Sequence, residues 1–232
     1  GIDVTNTLFE NFRPYGWNVS GVSSTNPQGQ RLVRDIQKRD LTFDGKASWN
    51  RDLNDTWSSA FVAGAQLLIT DRHESENNGS QFPAPCLEVT GAGVDQSVDE
   101  FVHKTVNAGV YAQEQIGFRN WLYTTLGARY DKHSAFGESA GGAFYPKASV
   151  SFIPSDMDGF SLPVVSTLRL RAAIGKSGLQ PGAFDKFTTF SPLASPSGPG
   201  VEPENLGNED LKPEVSTEWE LGGEVGLLEN RF

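Results

Sequence analysis

The chain has one cysteine, three histidines and no apolar run approaching the roughly 18 residues that a membrane-crossing helix needs. A single cysteine, Cys86, excludes an internal disulfide framework, and its Pro-rich polar surroundings, QFPAPCLEV, read as a loop. Basic residues are also scarce. Against 29 Asp and Glu stand 19 Lys and Arg, for a formal charge of -10, and no basic cluster is present that would follow a phosphate backbone. Nucleic acid is therefore not an expected partner. Helical periodicity is nearly absent, which leaves an all-β chain. With 232 residues and 37% hydrophobic content, the composition would suffice for one domain with a sizeable core.

Alternation with a period of two runs all along the chain. In DLTFDGKASWNR, residues 40–51, Leu41, Phe43, Gly45, Ala47 and Trp49 fall on one face, and Asp40, Thr42, Asp44, Lys46, Ser48 and Asn50 on the other. The same grammar returns at 57–72, 104–118, 121–132, 143–153, 164–176 and 214–228, and residues 1–10 look like the tail of one further strand. Segments of about a dozen residues exceed the usual globular strand of five or six.

The connections between these segments alternate in length. Residues 52–56, 119–120 and 154–163 are short links; residues 73–103, 133–142 and 177–213 are longer, the first and last rich in Gly, Pro, Ser and Asn. If neighbouring strands run up and down, all short links share one end of the sheet. Long structureless connections are uncommon in compact domains. An outer-membrane barrel has both features: short periplasmic turns, long extracellular loops, and strands that alternate apolar-out with polar-in. The low mean hydropathy of -0.39 is then no objection, because one face per strand meets lipid. Trp49, Phe118, Trp121 and Tyr123 lie near the short-link ends, where an aromatic girdle would sit at the membrane interface.

Three stretches resemble a known family: GVYAQEQIGFRNWLYTTLGARYDKHSAFG (109–137), LRLRAAIGKSGLQPGAFDKFTTF (168–190) and GNEDLKPEVSTEWELGGEVGLLENRF (207–232). They are similar to the barrel of TonB-dependent outer-membrane receptors, in the SusC/RagA-like branch. The pattern N-x-x-L-K-P-E-x-S-x-x-x-E-x-G, here Asn208, Leu211, Lys212, Pro213, Glu214, Ser216, Glu220 and Gly222, carries most of it.

The resemblance implies an all-β, antiparallel, up-and-down transmembrane barrel. Of about 22 strands in such a barrel, seven to eight are expected in residues 1–232, with no plug domain. Short periplasmic turns are expected near 52–56, 119–120, 154–163 and 228–232, and extracellular loops near 11–37, 73–103, 133–142 and 177–213. It further implies a bacterial outer-membrane location, contact with outer-membrane lipids, and import of a bulky nutrient. Oligosaccharide or peptide is the first expectation, with siderophore, haem or cobalamin as rivals. The expected partners are the TonB complex, acting through a plug, and a surface SusD-like lipoprotein. Two other classes remain open: a passive porin, which would not account for the LKPE strand, and a secreted β-rich carbohydrate-binding module, which would be soluble and have a dry core.

Candidate residues follow from the faces. Arg129, Arg169 and Arg171 fall on the polar side of their strands, as do Glu218, Glu220 and Glu224 on the last one. They either line a substrate path or form cross-strand ion pairs and plug contacts. Opposite charges on adjacent strands favour the second reading, with Arg171 and Glu218 as the expected pair. Exposed aromatics on the long loops, Tyr15 and Trp17 in the first and Phe184, Phe187 and Phe190 in the last, are candidate ligand contacts. His73, His103 and His133 sit near long-loop ends but have no ligand spacing, so no metal is expected. Asn18, Asn54 and Asn78 begin Asn-x-Ser/Thr triplets that carry little meaning in a bacterial barrel. No nucleophile and base, paired catalytic carboxylates or phosphate-cradling loop appears. The expectation is a protein that is not an enzyme and holds no cofactor.

Overall fold

The computed structural model describes residues 1–16, 28–196 and 198–228. Ten strands are found among them: β1 (Ile2–Arg13), β2 (Gln30–Asp52), β3 (Trp57–Ser80), β4 (Asp95–Phe118), β5 (Leu122–His133), β6 (Ala143–Phe152), β7 (Val165–Leu179), β8 (Thr189–Ser195), β9 (Gly198–Asn205) and β10 (Glu214–Leu227). Eight of them hydrogen-bond in the order β1-β2-β3-β4-β5-β6-β7-β10, and β8 pairs with β9 in a separate hairpin. The strand expected at the start is β1, paired along the first half of β2, and the connection expected at 177–213 carries its own hairpin.

The hydrophobic content that would suffice for a sizeable core is not spent on one. The buried apolar residues are Phe82, Ala135, Phe136, Ala143 and Ile153, while residues as large as Trp49, Trp219 and Leu221 are exposed. Alternation put the apolar side chains on one face of the sheet, and among the described residues no second layer covers that face.

Two compact units share the strands: Gly1–Thr42 with Leu68–Thr105, and Phe43–Leu67 with Val106–Phe232. In the first, β1 pairs with β2 from Ile2↔Leu41 to Arg13↔Gln30. Its one fully buried large side chain, Phe82, packs 6.4 Å from the Phe12 ring. Phe82 also closes on Gly29, where a Cβ would stand 2.9 Å from the ring and where φ is +84°. Strands β2, β3 and β4 run to 23 or 24 residues, beginning or ending well inside the connections expected at 11–37 and 73–103. The added lengths, such as QRLVRDIQKR and DRHESENNGS, are polar on both faces, so alternation does not mark them. Ion pairs knit them instead: Arg34 reaches Glu74 at 2.7 Å and Glu76 at 3.1 Å, and Arg39 reaches Asp71 at 2.6 Å; just beyond them, Thr70 donates a hydrogen bond to Asp40 at 2.6 Å.

In the second unit, β4, β5, β6, β7 and β10 pair in an unbroken antiparallel ladder. Directly opposed residues share a face. One face carries Val110, Tyr130 and Phe144 in one row, and Leu126, Ala148, Ile174 and Trp219 in another. A carboxylate interrupts it: Glu114 is opposite Leu126 and accepts a 2.6 Å hydrogen bond from Ser59.

At the short-link end, ring centroids run Trp57 to Phe118 at 4.6 Å, Phe118 to Trp121 at 5.1 Å, and Trp121 to Phe152 at 5.7 Å. Phe118 and Trp121 join this aromatic cluster as expected. Tyr123 does not: it is opposite Gly117 and Ser151, on the other face. The tight links are locally built. Asn54 Oδ1 accepts from the backbone N–H groups of Thr56 and Trp57, at 2.9 and 3.0 Å, which closes the turn after β2.

Candidate functional site

The polar face of the second unit forms a wall of cross-strand rows. One row runs Gln113, Gly127, Lys147, Gly175, Glu218; the next Gln115, Thr125, Ser149, Ala173, Glu220; the next Gly117, Tyr123, Ser151, Arg171, Gly222. A fourth row, one step beyond the Lys147 row, sets Tyr111, Arg129 and Tyr145 side by side. All six charged residues expected on the polar face lie on this wall.

They are not used alike. Arg129 is clamped: its Nε donates to both carboxylate oxygens of Asp131 at 2.7 and 2.8 Å, its Nη2 to Gln66 at 3.1 Å, and its guanidinium stands 5.9 Å from the Tyr111 ring centre. Asp131 is only 7% exposed. Gly109, opposite Asp131, makes room for the clamp, since a Cβ there would overlap the Asp131 carboxylate.

Arg169 pairs with Glu224 at 3.4 Å, both groups well exposed. The expected partnership of Arg171 with Glu218 does not form. Register places Arg171 opposite Gly222 and Glu218 opposite Gly175, four residues further along the ladder. Strand assignment alone does not fix register, and counting polar residues along each strand does not reveal this offset. Lys147 was missed as a polar-wall residue, although its position opposite Gly127 and Gly175 follows from the same alternation.

The loop aromatics fall in different parts of the chain. Tyr15 belongs to the first unit, Phe184, Phe187 and Phe190 belong to the second, and Trp17 lies outside the described residues. Phe190 is on β8 opposite Pro203 and exposed. Phe187 carries Lys186 Nζ at 4.8 Å from its ring centre and lines a cavity of about 360 Å³ with Thr188, Leu206 and Glu209.

The LKPE segment has a clear structural role. The Asn208 carbonyl accepts from Leu211 N at 3.2 Å, and Asn208 Oδ1 from Asp210 N at 3.0 Å, forming a turn. That turn docks on the connection after β5: Gly137 N donates to Leu211 O at 2.9 Å, and Ser139 Oγ reaches both Glu209 O, at 3.2 Å, and the Asp210 carboxylate.

The histidines remain separate. His73 pairs with Glu100 at 2.8 Å, and His133 Nδ1 accepts from Ala135 N at 3.0 Å. Burial holds the His133 pKa below its ordinary value, in keeping with a neutral ring that accepts at Nδ1. No cluster of three metal-ligating side chains occurs among the described residues.

An up-and-down antiparallel sheet with one apolar and one polar face, and rings gathered at the short-link end, is the wall of an outer-membrane-type barrel. Residues 3–232 match the family model described as TonB dependent receptor-like, beta-barrel, and the chain belongs to that family. Over 238 aligned residues it is 22% identical to TonB-dependent receptor P3 of Formosa agariphila, an alignment that takes in 99% of this chain and 20% of that protein. The solved RagAB peptide transporter superposes with a TM-score of 0.81 at 19% identity, over 99% of this chain and 26% of that one. The RagAB peptide importer in its open-open state gives 0.78 at the same identity and coverage. The structural likenesses show the fold. The chain spans about a fifth of the length of the curated receptor and about a quarter of the RagAB chain.

Proposed function

We propose that this chain forms part of the wall and outer loops of a TonB-dependent importer that takes a bulky nutrient across the bacterial outer membrane. The observation that carries the reading is the ladder from β4 to β10. Its two faces stay chemically distinct across five strands, with Thr125, Ser149 and Glu220 in one row and Leu126, Ala148, Ile174 and Trp219 in the next. The polar face then lines a watery lumen, and the apolar face meets lipid. The strand ends at 52–56, 119–120 and 154–163 are the periplasmic turns, and the β8–β9 hairpin and the LKPE turn stand on the extracellular side.

The nutrient class is peptide or oligosaccharide, a reading supported by the likeness to a peptide transporter. Power comes from the TonB complex through a plug, and the outer loops meet a SusD-like lipoprotein.

Cysteine scanning in the complete receptor tests the wall. Thr125→Cys and Lys147→Cys should react with a charged, water-soluble thiol reagent, whereas Leu126→Cys and Val150→Cys should react only with a lipid-soluble one. Equal labelling of Leu126→Cys and Thr125→Cys by the charged reagent would overturn the two-faced wall. Uptake of fluorescent peptides and oligosaccharides, with and without TonB, then tests transport: uptake that persists without TonB points to a passive pore.

A further inference from the structure

One part of the polar wall has more donors than the wall itself uses. Near the short-link end, a basin of about 490 Å³ lies over β5, β6 and β7. Arg169 and Arg171 stand on one face of β7, about 7 Å apart along the strand. Arg171 has strands paired on both sides of it, β6 through Ser151 and β10 through Gly222, so its state does not reflect a sheet edge. It nevertheless forms no ion pair among the described residues, the arginine salt bridge of this strand being the one from Arg169 to Glu224. Gly222 lets the Arg171 stem lie flat, because a Cβ there would come within 2.7 Å of its Nε. Arg169 Nε is screened from water and has no acceptor.

On the β6 side of the arginines are neutral donors, the hydroxyls of Ser151 and, one strand further, Tyr123. Glu220 also lines the basin, but it stands on the β10 side and within ion-pair distance of neither arginine.

We propose that this basin is a binding station for an oxyanion group of a passing solute, a carboxylate or a phosphate, held by Arg171 with Ser151 and Tyr123. Guanidinium geometry suits both groups, each offering two oxygens to a planar fork. Arg169 is engaged with Glu224 and leaves the fork of Arg171 as the open one. The station rests on the reading of the polar face as a lumen, and it names the chemistry that the lumen recognises: acidic nutrients.

The test uses Ser151→Cys in the complete receptor with Cys86→Ser. The probes are the anionic sulfonatoethyl and the cationic trimethylammonioethyl methanethiosulfonates. One unit charge about 6 Å away in water changes an ion's local concentration roughly threefold, so the anionic reagent should react about tenfold faster than the cationic one. Adding Arg171→Gln should bring the ratio towards one, while Arg171→Lys, which keeps the charge, should preserve it. Inorganic phosphate and glutarate are then added separately as protectants. Slowing by either anion that disappears in Arg171→Gln supports the station, and which anion slows the reaction distinguishes phosphate from carboxylate. Slowing by neither overturns the station, whatever the rate ratio. If Thr125→Cys reacts and Ser151→Cys does not, the station fails while the lumen stands. If both are inert to the water-soluble reagents, the lumen reading itself fails.

Discussion

The two units are built from the same strands by different means. In the wall, β4 to β10 keep bulky apolar side chains on one face, and the polar face is thinly paired: Arg129 is clamped, Arg169 is loosely bridged and Arg171 is open. In the first unit, the long ends of β2 and β3 are joined by carboxylates and guanidinium groups, Arg34 with Glu74 and Arg39 with Asp71. A sheet face in hydrocarbon cannot carry such charges cheaply, whereas a sheet in water on both sides gains little from apolar residues. On the proposed reading, strand continuity and membrane span are therefore separate properties. A strand of 24 residues is longer than the 9 to 11 that cross a bilayer, and its chemistry changes along its length.

The largest expected effect comes from testing that contrast directly. Leu126 and Val98 are both exposed, at 61% and 73%. Leu126→Arg should cost about 2–4 kcal/mol in a lipid-reconstituted receptor, and Val98→Arg less than about 0.5 kcal/mol, measured by denaturant titration. Equal costs would erase the distinction between the two regions.

A middle-sized effect separates the arginines. Arg129→Gln leaves the nearly buried Asp131 carboxylate without its main partner and should cost about 1–3 kcal/mol. Arg39→Gln, which loses an exposed pair, should cost under about 1 kcal/mol. The same denaturant titration decides the order, and a reversed order would show that the clamp does not stabilise the wall.

The smallest effect is a pH dependence confined to the first unit. Hydrogen bonding from Arg39 lowers the Asp71 pKa, and hydrogen bonds from Lys38 and Thr70 lower that of Asp40. A carboxylate with a depressed folded pKa contributes stability above its unfolded value, and loses it as pH falls through the folded one. Amide exchange across 30–40 and 70–80 should therefore quicken below about pH 4, and exchange across 107–133 should change less. Uniform quickening would indicate that the ion pairs do not hold the extended strands.

The strands of the wall were legible because one face is apolar: Leu122, Leu126, Ala128 and Tyr130 announce β5 without any partner. The distal halves of β2 and β3 were not, since residues such as Arg34, Asp35, Glu74 and Glu76 give no period-two signal. Tyr123 was assigned to the aromatic girdle by its nearness to the turn, but parity along β5 puts it on the polar face with Ser151. The charged candidates were placed on the correct face. Which of them meet was not legible, because a register offset of an even number of residues, here four, keeps every face assignment intact and changes every partner.

The sequence by itself determined the all-β class, the two faces of the wall and the family resemblance, because each rests on local order: alternation, link length and a motif contiguous in the chain. Tertiary structure decided the rest. Pairing and register, which depend on residues far apart in sequence, clamped Arg129 between Asp131 and Gln66, set Arg171 opposite a glycine, and bound the LKPE turn to Gly137.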